Sequence, residues 1–386
     1  MSIVTWTRKL HCLIGLSAGL LFVLTALCGS LIAWLPELDR TLNPALLRTS
    51  STPMHTLPMS PQAIQTAVDK LIADPAYGMP TQLHLPEKST DVLLVSYARA
   101  VPAHHGFFAQ PVVRQVMIDP VSLKINGERE WGKPGLSAPL IMPTLLHLHR
   151  SLLAGAFGKI VMAIVALLLL ITSLSGVALC CSRAGKKLRK QAIATGTRRG
   201  SRSLSIQKQW HRIGGLVVAI PFTVIAFSGC YFNQPQWIIS LVGAMTSLSE
   251  KPAASHRLCR TCPPAALANI LHTAQQRYPD AWISRITLPS NSTHTFAVRL
   301  RQAHENPYGD GATHLLLDAE TGHIVHLRDP IDETTGDRFL RWQYPLHSGT
   351  AFGTPGRIVI SLIGMTPLWL LLSGWKIWAN KRRRRT

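Results

Sequence analysis

Four stretches of the chain stay apolar for about the length of a membrane crossing: 10–35, 160–181, 213–232 and 358–378. A bilayer core of about 30 Å takes roughly 20 apolar residues in helical form. Between these stretches lie two long segments, 36–148 and 233–346, where the pattern changes. Each opens with helical spacing (61–73 and 264–278) and continues in alternating, strand-like runs such as 91–97 and 295–300. The pattern predicts an α-helical membrane protein with four transmembrane helices and a small α+β domain in each long loop.

Composition and charge then fix an orientation. Only 15% of the 386 residues are charged and 47% are hydrophobic, against about 25% charged in soluble domains. The net charge of +21 is concentrated beside the apolar runs: at Arg8 and Lys9, across 183–208, and in the tail 381–385. That is the bias of cytoplasmic loops, and it argues against nucleic acid as a partner. Segment 182–208 carries nine Lys/Arg and no Asp or Glu, so it is expected in the cytoplasm with both termini. The two long segments then face the periplasm of a bacterial inner membrane. The first apolar run is too long for a signal peptide and lacks a small-x-small cleavage site. Trp34, Trp369, Trp375 and Trp378 sit near span ends, as an aromatic belt would place them.

The chain also repeats itself at an offset of about 200 residues. Aligning His11 (in WTRKLHCLIGL) on His211 (in QWHRIGGL) puts Gly15 on Gly215, Leu16 on Leu216 and Gly29 on Gly229. Aligning His149 (in HRSLLAGAFGKIV) on His347 (in HSGTAFGTPGRIV) puts Gly158 on Gly356, Lys159 on Arg357 and Gly176 on Gly374. The loops match more loosely: 83–86 (LHLP) with 286–289 (ITLP), and 117–120 (MIDP) with 316–319 (LLDA). The chain therefore divides into span 1 (1–35), outer domain 1 (36–146), an interfacial segment with span 2 (147–181), a basic loop (182–208), span 3 (209–232), outer domain 2 (233–346), an interfacial segment with span 4 (347–379) and a basic tail (380–386). The fold class is four transmembrane helices in two tandem repeats, with α+β domains in the loops.

Two repeats of this topology pack about a pseudo-two-fold axis along the membrane normal, which sets equivalent residues face to face. His11 would meet His211 on the cytoplasmic side, and His149 would meet His347 on the outer side. Facing imidazoles are the axial ligand set of a six-coordinate haem iron. Two b-type haems follow, because Pro263 after Cys262 leaves no Cys-x-x-Cys-His for covalent attachment. His149 and His347 lie eleven residues before the apolar runs at Ile160 and Ile358, roughly 16 Å along a straight helix. Gly155, Gly158, Gly353, Pro355 and Gly356 permit the bend that brings them down to the membrane. Lys159 and Arg357 would then be placed to pair with haem propionates. His147, two residues from His149, is an alternative ligand; its repeat equivalent is Pro345. Arg341, Trp342 and Tyr344 offer a landing face for a substrate or an interfacial anchor. Cys259 and Cys262 form a disulfide candidate in an oxidising compartment. His104, His105, His314, His323 and His326 read as surface histidines.

The helix-end histidines followed by glycines, and the stretches from His149 to Lys159 and from His347 to Arg357, resemble the PepSY-associated transmembrane helix family. The strand ends at 119–120 and 318–322 look like PepSY domains. Within that family the chain is similar to inner-membrane ferric-siderophore reductases of the FoxB ferrioxamine-reductase type. The resemblance implies haem-dependent electron transfer to a ferric siderophore in the periplasm, with release of Fe(II). No dinucleotide fingerprint or flavin domain is visible, so the donor is expected to be a quinol or a separate reductase. The competing readings are a haem-free membrane scaffold or transport subunit, and a quinol-linked b-type cytochrome with another acceptor.

Overall fold

The computed structural model describes residues 2–49, 59–98, 107–182, 199–250, 266–290 and 293–383, with side chains from residue 206 onward in the helix that begins at 199. The chain divides into two compact units. One is helical (Met1–Trp34, Leu145–Leu241, Gln343–Thr386) and the other is built on a sheet (Leu35–Thr144, Val242–Trp342).

In the helical unit, three helices are long and apolar enough to cross a membrane: α7 (Gly155–Cys181), the apolar part of α8 (Arg199–Asn233) and α12 (Gly353–Arg383). A fourth crossing is formed if α1 (Ile3–Ser17) and α2 (Gly19–Ile32), bent by 60°, make one span. The apolar run at 10–35 predicts an unbroken helix, so the bend is a departure. Its cause is local. The Ser17 hydroxyl donates to the Leu13 carbonyl at 2.8 Å, and a Cβ on Gly19 would lie 2.6 Å from Leu371 Cδ1. Ser/Gly pairs are a usual place for a helix to kink.

Small residues let these helices approach. A Cβ on Gly364 of α12 would lie 2.0 Å from Ser30 Oγ. Ser30 Oγ donates to the Ser361 carbonyl at 2.9 Å, and Trp34 Nε1 donates to Ser361 Oγ at 2.9 Å. On the other side of the unit, Ser173 of α7 donates to the Ala219 carbonyl of α8 at 2.9 Å. Packing of this kind replaces the hydrophobic drive that is absent between helices in lipid. Leu20, Val217, Ile220 and Leu362 stay exposed, as lipid-facing side chains do.

The sheet unit holds the long segments between the spans. Its helices are α3 (Leu35–Leu42), α4 (Pro44–Leu47), α5 (Pro61–Ala73) and α10 (Leu267–Arg277). Its strands are β1 (Gln82–His84), β2 (Leu93–Ala98), β3 (Val113–Ile118), β4 (Ile125–Trp131), β5 (Trp282–Thr287), β6 (Thr295–Arg301), β7 (Thr313–Asp318) and β8 (Ile324–Arg328). The elements foreseen for each loop are present, and the eight strands join in one sheet of order β4-β3-β2-β1-β5-β6-β7-β8. Neighbouring strands are antiparallel throughout. The join is the antiparallel pairing of β1 with β5, in which Leu83 faces Ile286, the two residues that the sequence repeat aligns. Pairing removes two edges that would otherwise expose unpaired backbone groups.

One face of the sheet buries Leu83, Leu93, Val95, Val116, Ile286, Val298, Leu300, Leu315 and Leu317 against Ile64, Val68, Ile270 and Leu271 of α5 and α10. A side chain of this size contributes about 1.5–3 kcal/mol when fully buried. The matched strand ends also repeat a turn. Asp119 Oδ1 accepts the Val121 and Ser122 amides, and Asp318 Oδ1 accepts the Glu320 and Thr321 amides. The left-handed position that closes each turn is Leu123 (φ 53°) in one and Gly322 (φ 71°) in the other.

The chain passes from the sheet unit to the helical unit within α6 (Ala138–Ser151) and again within α11 (Thr335–Ser348). The helix α9 (Pro235–Met245) follows α8 after a break at Gln234.

Candidate functional site

The helical unit brings the four repeat-matched histidines together in two pairs. The ring centres of His11 and His211 are 6.4 Å apart with planes at 88°. Those of His149 and His347 are 6.1 Å apart with planes at 70°. His11 lies on α1 and His211 on α8. His149 and His347 lie in the last turns of α6 and α11.

The descent of the second pair follows from backbone chemistry just after each histidine. Beyond α6 the chain turns through Leu152, Leu153 and Gly155, all at positive φ; beyond α11 it turns through Gly349 and Gly353 at φ 78° and 63°. A Cβ on Gly158 would sit 1.6 Å from the Ser151 carbonyl oxygen, and one on Gly356 would sit 2.1 Å from that of Gly349. These equivalent glycines allow the start of each span to press against the end of the helix before it. The reversal lets His149 reach the Thr25 carbonyl of α2 and His347 reach Ser228 of α8. Ser228 lies 17 residues beyond His211 on the same helix (228 − 211), about 25 Å at helical rise. The two pairs therefore occupy separate levels along the spans.

All four rings are fixed in one tautomer. His11 Nδ1 lies 3.1 Å from the Thr172 carbonyl and 3.0 Å from Ser175 Oγ. His149 Nδ1 lies 2.7 Å from the Thr25 carbonyl. A carbonyl can only accept, so both rings carry hydrogen on Nδ1. His211 Nδ1 lies 2.7 Å from Ser373 Oγ, whose own hydrogen goes to the Leu370 carbonyl. His347 Nδ1 lies 2.8 Å from Ser228 Oγ, whose hydrogen goes to the Val224 carbonyl. Each of these rings also bonds a backbone carbonyl, Leu370 for His211 and Ile225 for His347, so both carry hydrogen on Nδ1. Each imidazole is left with its lone pair on Nε2, and Nε2 makes no protein hydrogen bond among the described residues. A histidine that binds a metal through one nitrogen commonly donates the other N–H to a carbonyl or hydroxyl in this way.

The acceptors follow a rule that the sequence carries. Each motif glycine is preceded by a small polar residue: Cys28-Gly29, Ser175-Gly176, Ser228-Gly229 and Ser373-Gly374. Three of these are the serines that hold His11, His347 and His211. At the fourth, Cys28 stands in place of serine and the carbonyl three residues before it, Thr25, takes the whole bond. The glycines admit the rings. A Cβ would lie 3.0 Å from His149 Cε1 at Gly29, 3.3 Å from His11 Cε1 at Gly176 and 3.4 Å from His211 Cε1 at Gly374. Gly229 differs, since its Cβ would meet Ala166.

Other candidates fall as follows. His149, not His147, is the ring set against His347. His147 is buried, and its carbonyl accepts the Ser151 hydroxyl. Arg357 is 4% exposed, donates from Nε and Nη2 to the Ala33 carbonyl at 2.9 and 2.7 Å, and stacks on Trp34 at 4.1 Å. It ties α12 to the end of α2. Lys159, its repeat equivalent, is exposed. Arg341 is ion-paired with Glu333 at 2.6 Å, and Trp342 is exposed. Tyr344 is exposed and meets Phe232 at 6.2 Å; Phe232 in turn packs on the His347 ring at 5.3 Å. Cys259, Cys262, His104 and His105 lie outside the described residues. Among the described residues no group of three or more His, Cys, Asp or Glu is arranged to hold a metal ion by itself.

None of the curated proteins compared with the chain matches it. A family model does, and its match runs from residue 8 to residue 381. Over essentially its whole length, the chain belongs to the family described as the PepSY-associated TM region.

Proposed function

We propose that the protein is a di-haem electron carrier of the bacterial inner membrane that reduces ferric siderophores on the periplasmic side. The observation that carries the reading is that all four matched histidines donate from Nδ1 and keep Nε2 for a ligand. The spacing agrees: with nitrogen–metal bonds of about 2.0–2.1 Å, two imidazoles sharing one ion have centres roughly 6 Å apart. The observed separations are 6.4 and 6.1 Å.

In this reading His11 with His211 hold one b-type haem and His149 with His347 the other. When bound, the haems supply one-electron carriage between the two levels, at potentials set by ligands, hydrogen bonds and burial. The chain's own residues orient and tune. Ser175, Ser373, Ser228 and the Thr25 carbonyl fix each ring and raise its basicity. The glycines leave room beside the rings, and the apolar helices around them exclude water. Lys159 is placed to pair with a propionate, whereas Arg357 is engaged with Ala33 and Trp34. The substrate's Fe(III) gains one electron, and Fe(II) is held less firmly by hard oxygen donors, so the metal is released. The electron comes from a quinol or a separate reductase. The architecture proposed with this chemistry is four spans in two tandem repeats, PepSY-like halves joined in the sheet, and basic segments in the cytoplasm.

The test is haem content and optical spectrum of purified protein. A Soret band of bis-histidine b-type character, with about two haems per chain, is expected. His211→Ala and His347→Ala are each expected to remove about one, and the reduced protein should be reoxidised by a ferric trihydroxamate. A colourless protein would reject the proposal outright; a haem protein inert to every ferric chelate would leave a cytochrome with another acceptor.

A further inference from the structure

The sheet unit contains its own internal control. Cross-strand pairing sets one row of residues directly opposite one another in each half. In the first half the row runs Gln82, Ser96, Gln115, Arg129. In the second it runs Arg285, Arg299, His314, Arg328, and His84 of β1 extends it beyond Arg285. The two rows are equivalent about the Leu83–Ile286 pair, and both lie on the face opposite the α5 and α10 core. One copy of the row is neutral up to its last residue. The other places two arginines directly across from each other and a third beyond an intervening histidine. Like charges opposite one another destabilise a sheet, so packing alone gives no reason for the second row.

The two rows also end differently. In the first half, Arg129 donates to Gln115 at 2.9 Å and to Asp39 at 2.8 Å, with the Arg129 and Asp39 side chains 3% and 5% exposed. That row is closed. In the second half, Arg328 is 41% exposed and divided between Glu333 at 3.4 Å and Asp337 at 3.2 Å. Arg285 pairs with Asp310 and keeps 30% exposure. Arg299 lies between them, and its guanidinium has no hydrogen bond or ion pair to any described residue. The His314 ring has none either. The nearby Glu305 is committed to the Ala312 amide and to the Thr313 hydroxyl at 2.7 Å. Burial and the neighbouring arginines push His314 down to about 3. Burial, then Arg285, lowers Arg299 as well. Asp310 and Glu305 offset that shift in part, yet neither bonds the Arg299 guanidinium.

We propose that this row is a binding site for an anionic ligand that presents carboxylate or phosphate oxygens, with Arg299 as the central contact and Arg285, His314 and Arg328 around it. A guanidinium with its fork uncommitted is the group best suited to bidentate capture of such oxygens. The first half, with serine where the second has Arg299, offers no such site. The inference stands apart from the haem reading, since it concerns only the sheet unit.

The experiment is calorimetric titration of the full-length protein with citrate and with inorganic phosphate, in zwitterionic nanodiscs. Saturable binding of at least one probe is expected, weakening with added salt. Arg299→Gln should lower affinity by about tenfold or more. Arg299→Lys should retain part of it, because charge survives and the fork does not. Arg114→Gln, which breaks a pair with Glu128 elsewhere on the sheet, should bind as the wild type does. The melting temperature of Arg299→Gln should be equal or higher, since a like-charge opposition is relieved; a structural role for Arg299 would lower it. Absence of saturable binding to either probe, or wild-type affinity in Arg299→Gln, would overturn the proposal.

Discussion

The bond from His211 to Ser373 offers a sharp perturbation of the proposed ligand set. Ser373 Oγ lies 2.7 Å from His211 Nδ1 and passes its own hydrogen to the Leu370 carbonyl. Ser373→Ala removes that acceptor and leaves the helix otherwise intact. Loss of a hydrogen bond behind a ligating histidine costs about 10–100-fold in affinity for the bound group, or about 1.4–2.7 kcal/mol. The Leu370 carbonyl also acts on this ring and can take over part of the bond, so the lower end, about tenfold, is expected. Thr25→Ala is the matched control. His149 uses the Thr25 backbone carbonyl, which the substitution keeps, and the Thr25 hydroxyl bonds within its own helix. Haem titration into apo-protein, followed at the Soret band, measures both. Equal affinities for Ser373→Ala and wild type, or an equal loss in Thr25→Ala, would refute the claim that Nδ1 acceptors set the site.

Cys28→Ser supplies the hydroxyl that the other three motifs carry, and is expected to strengthen haem retention at the His149 pair, read by the rate of haem loss. Asp39→Ala strands Arg129, whose side chain is 3% exposed; unfolding should show a loss of about 3–5 kcal/mol, mostly recovered by the apolar double variant Asp39→Leu/Arg129→Met. Gly364→Ala drives a Cβ to 2.0 Å from Ser30 Oγ and 2.8 Å from the Ala26 carbonyl, so it should cost about 1–3 kcal/mol. Gly15→Ala, with nothing within 4 Å, should be neutral or stabilising in the same melts. The sheet unit should weaken in acid. Burial and nearby arginines hold His84 near 4 and His314 near 3. Their stabilising share is complete above the ordinary value of 6.5 and is lost as pH falls toward those values, because the unfolded chain takes up protons first. His84→Gln/His314→Gln should flatten that part of the stability profile; an unchanged slope would refute the assignment.

Several features were legible in the linear sequence because their causes are local or repetitive. Apolar length marks spans at 160–181, 213–232 and 358–378, since a bilayer demands length and hydropathy and little else. Duplication marks His11, His149, His211 and His347, because a second copy filters chance residues from retained ones. Folding added what depends on partners far along the chain. The 60° bend between α1 and α2 depends on Leu371 lying against Gly19. The choice of His149 over His147 depends on which ring the turn at 152–155 aims at His347. Arg357 matches Lys159 in the repeat, but its engagement by Ala33 and Trp34 exists only in the folded chain. The serines before the glycines were in plain view, but their meaning lies in rings more than 100 residues away.

The alternation of residues along β5 to β8 foretold strands. It could not foretell that Arg285, Arg299, His314 and Arg328 would form one row, because register is settled by pairing across the sheet. By itself the sequence determined apolar helices of membrane-spanning length and histidine motifs that recur about 200 residues apart. The tertiary structure alone decided that β1 meets β5, that Nδ1 of each ring is taken and Nε2 is left, and that Arg299 stands in a row of basic residues with its guanidinium unbonded. The physical reason is the same in each case: hydropathy and repetition are properties of the chain, whereas hydrogen-bond partners and charge neighbours exist only after distant segments have been brought together.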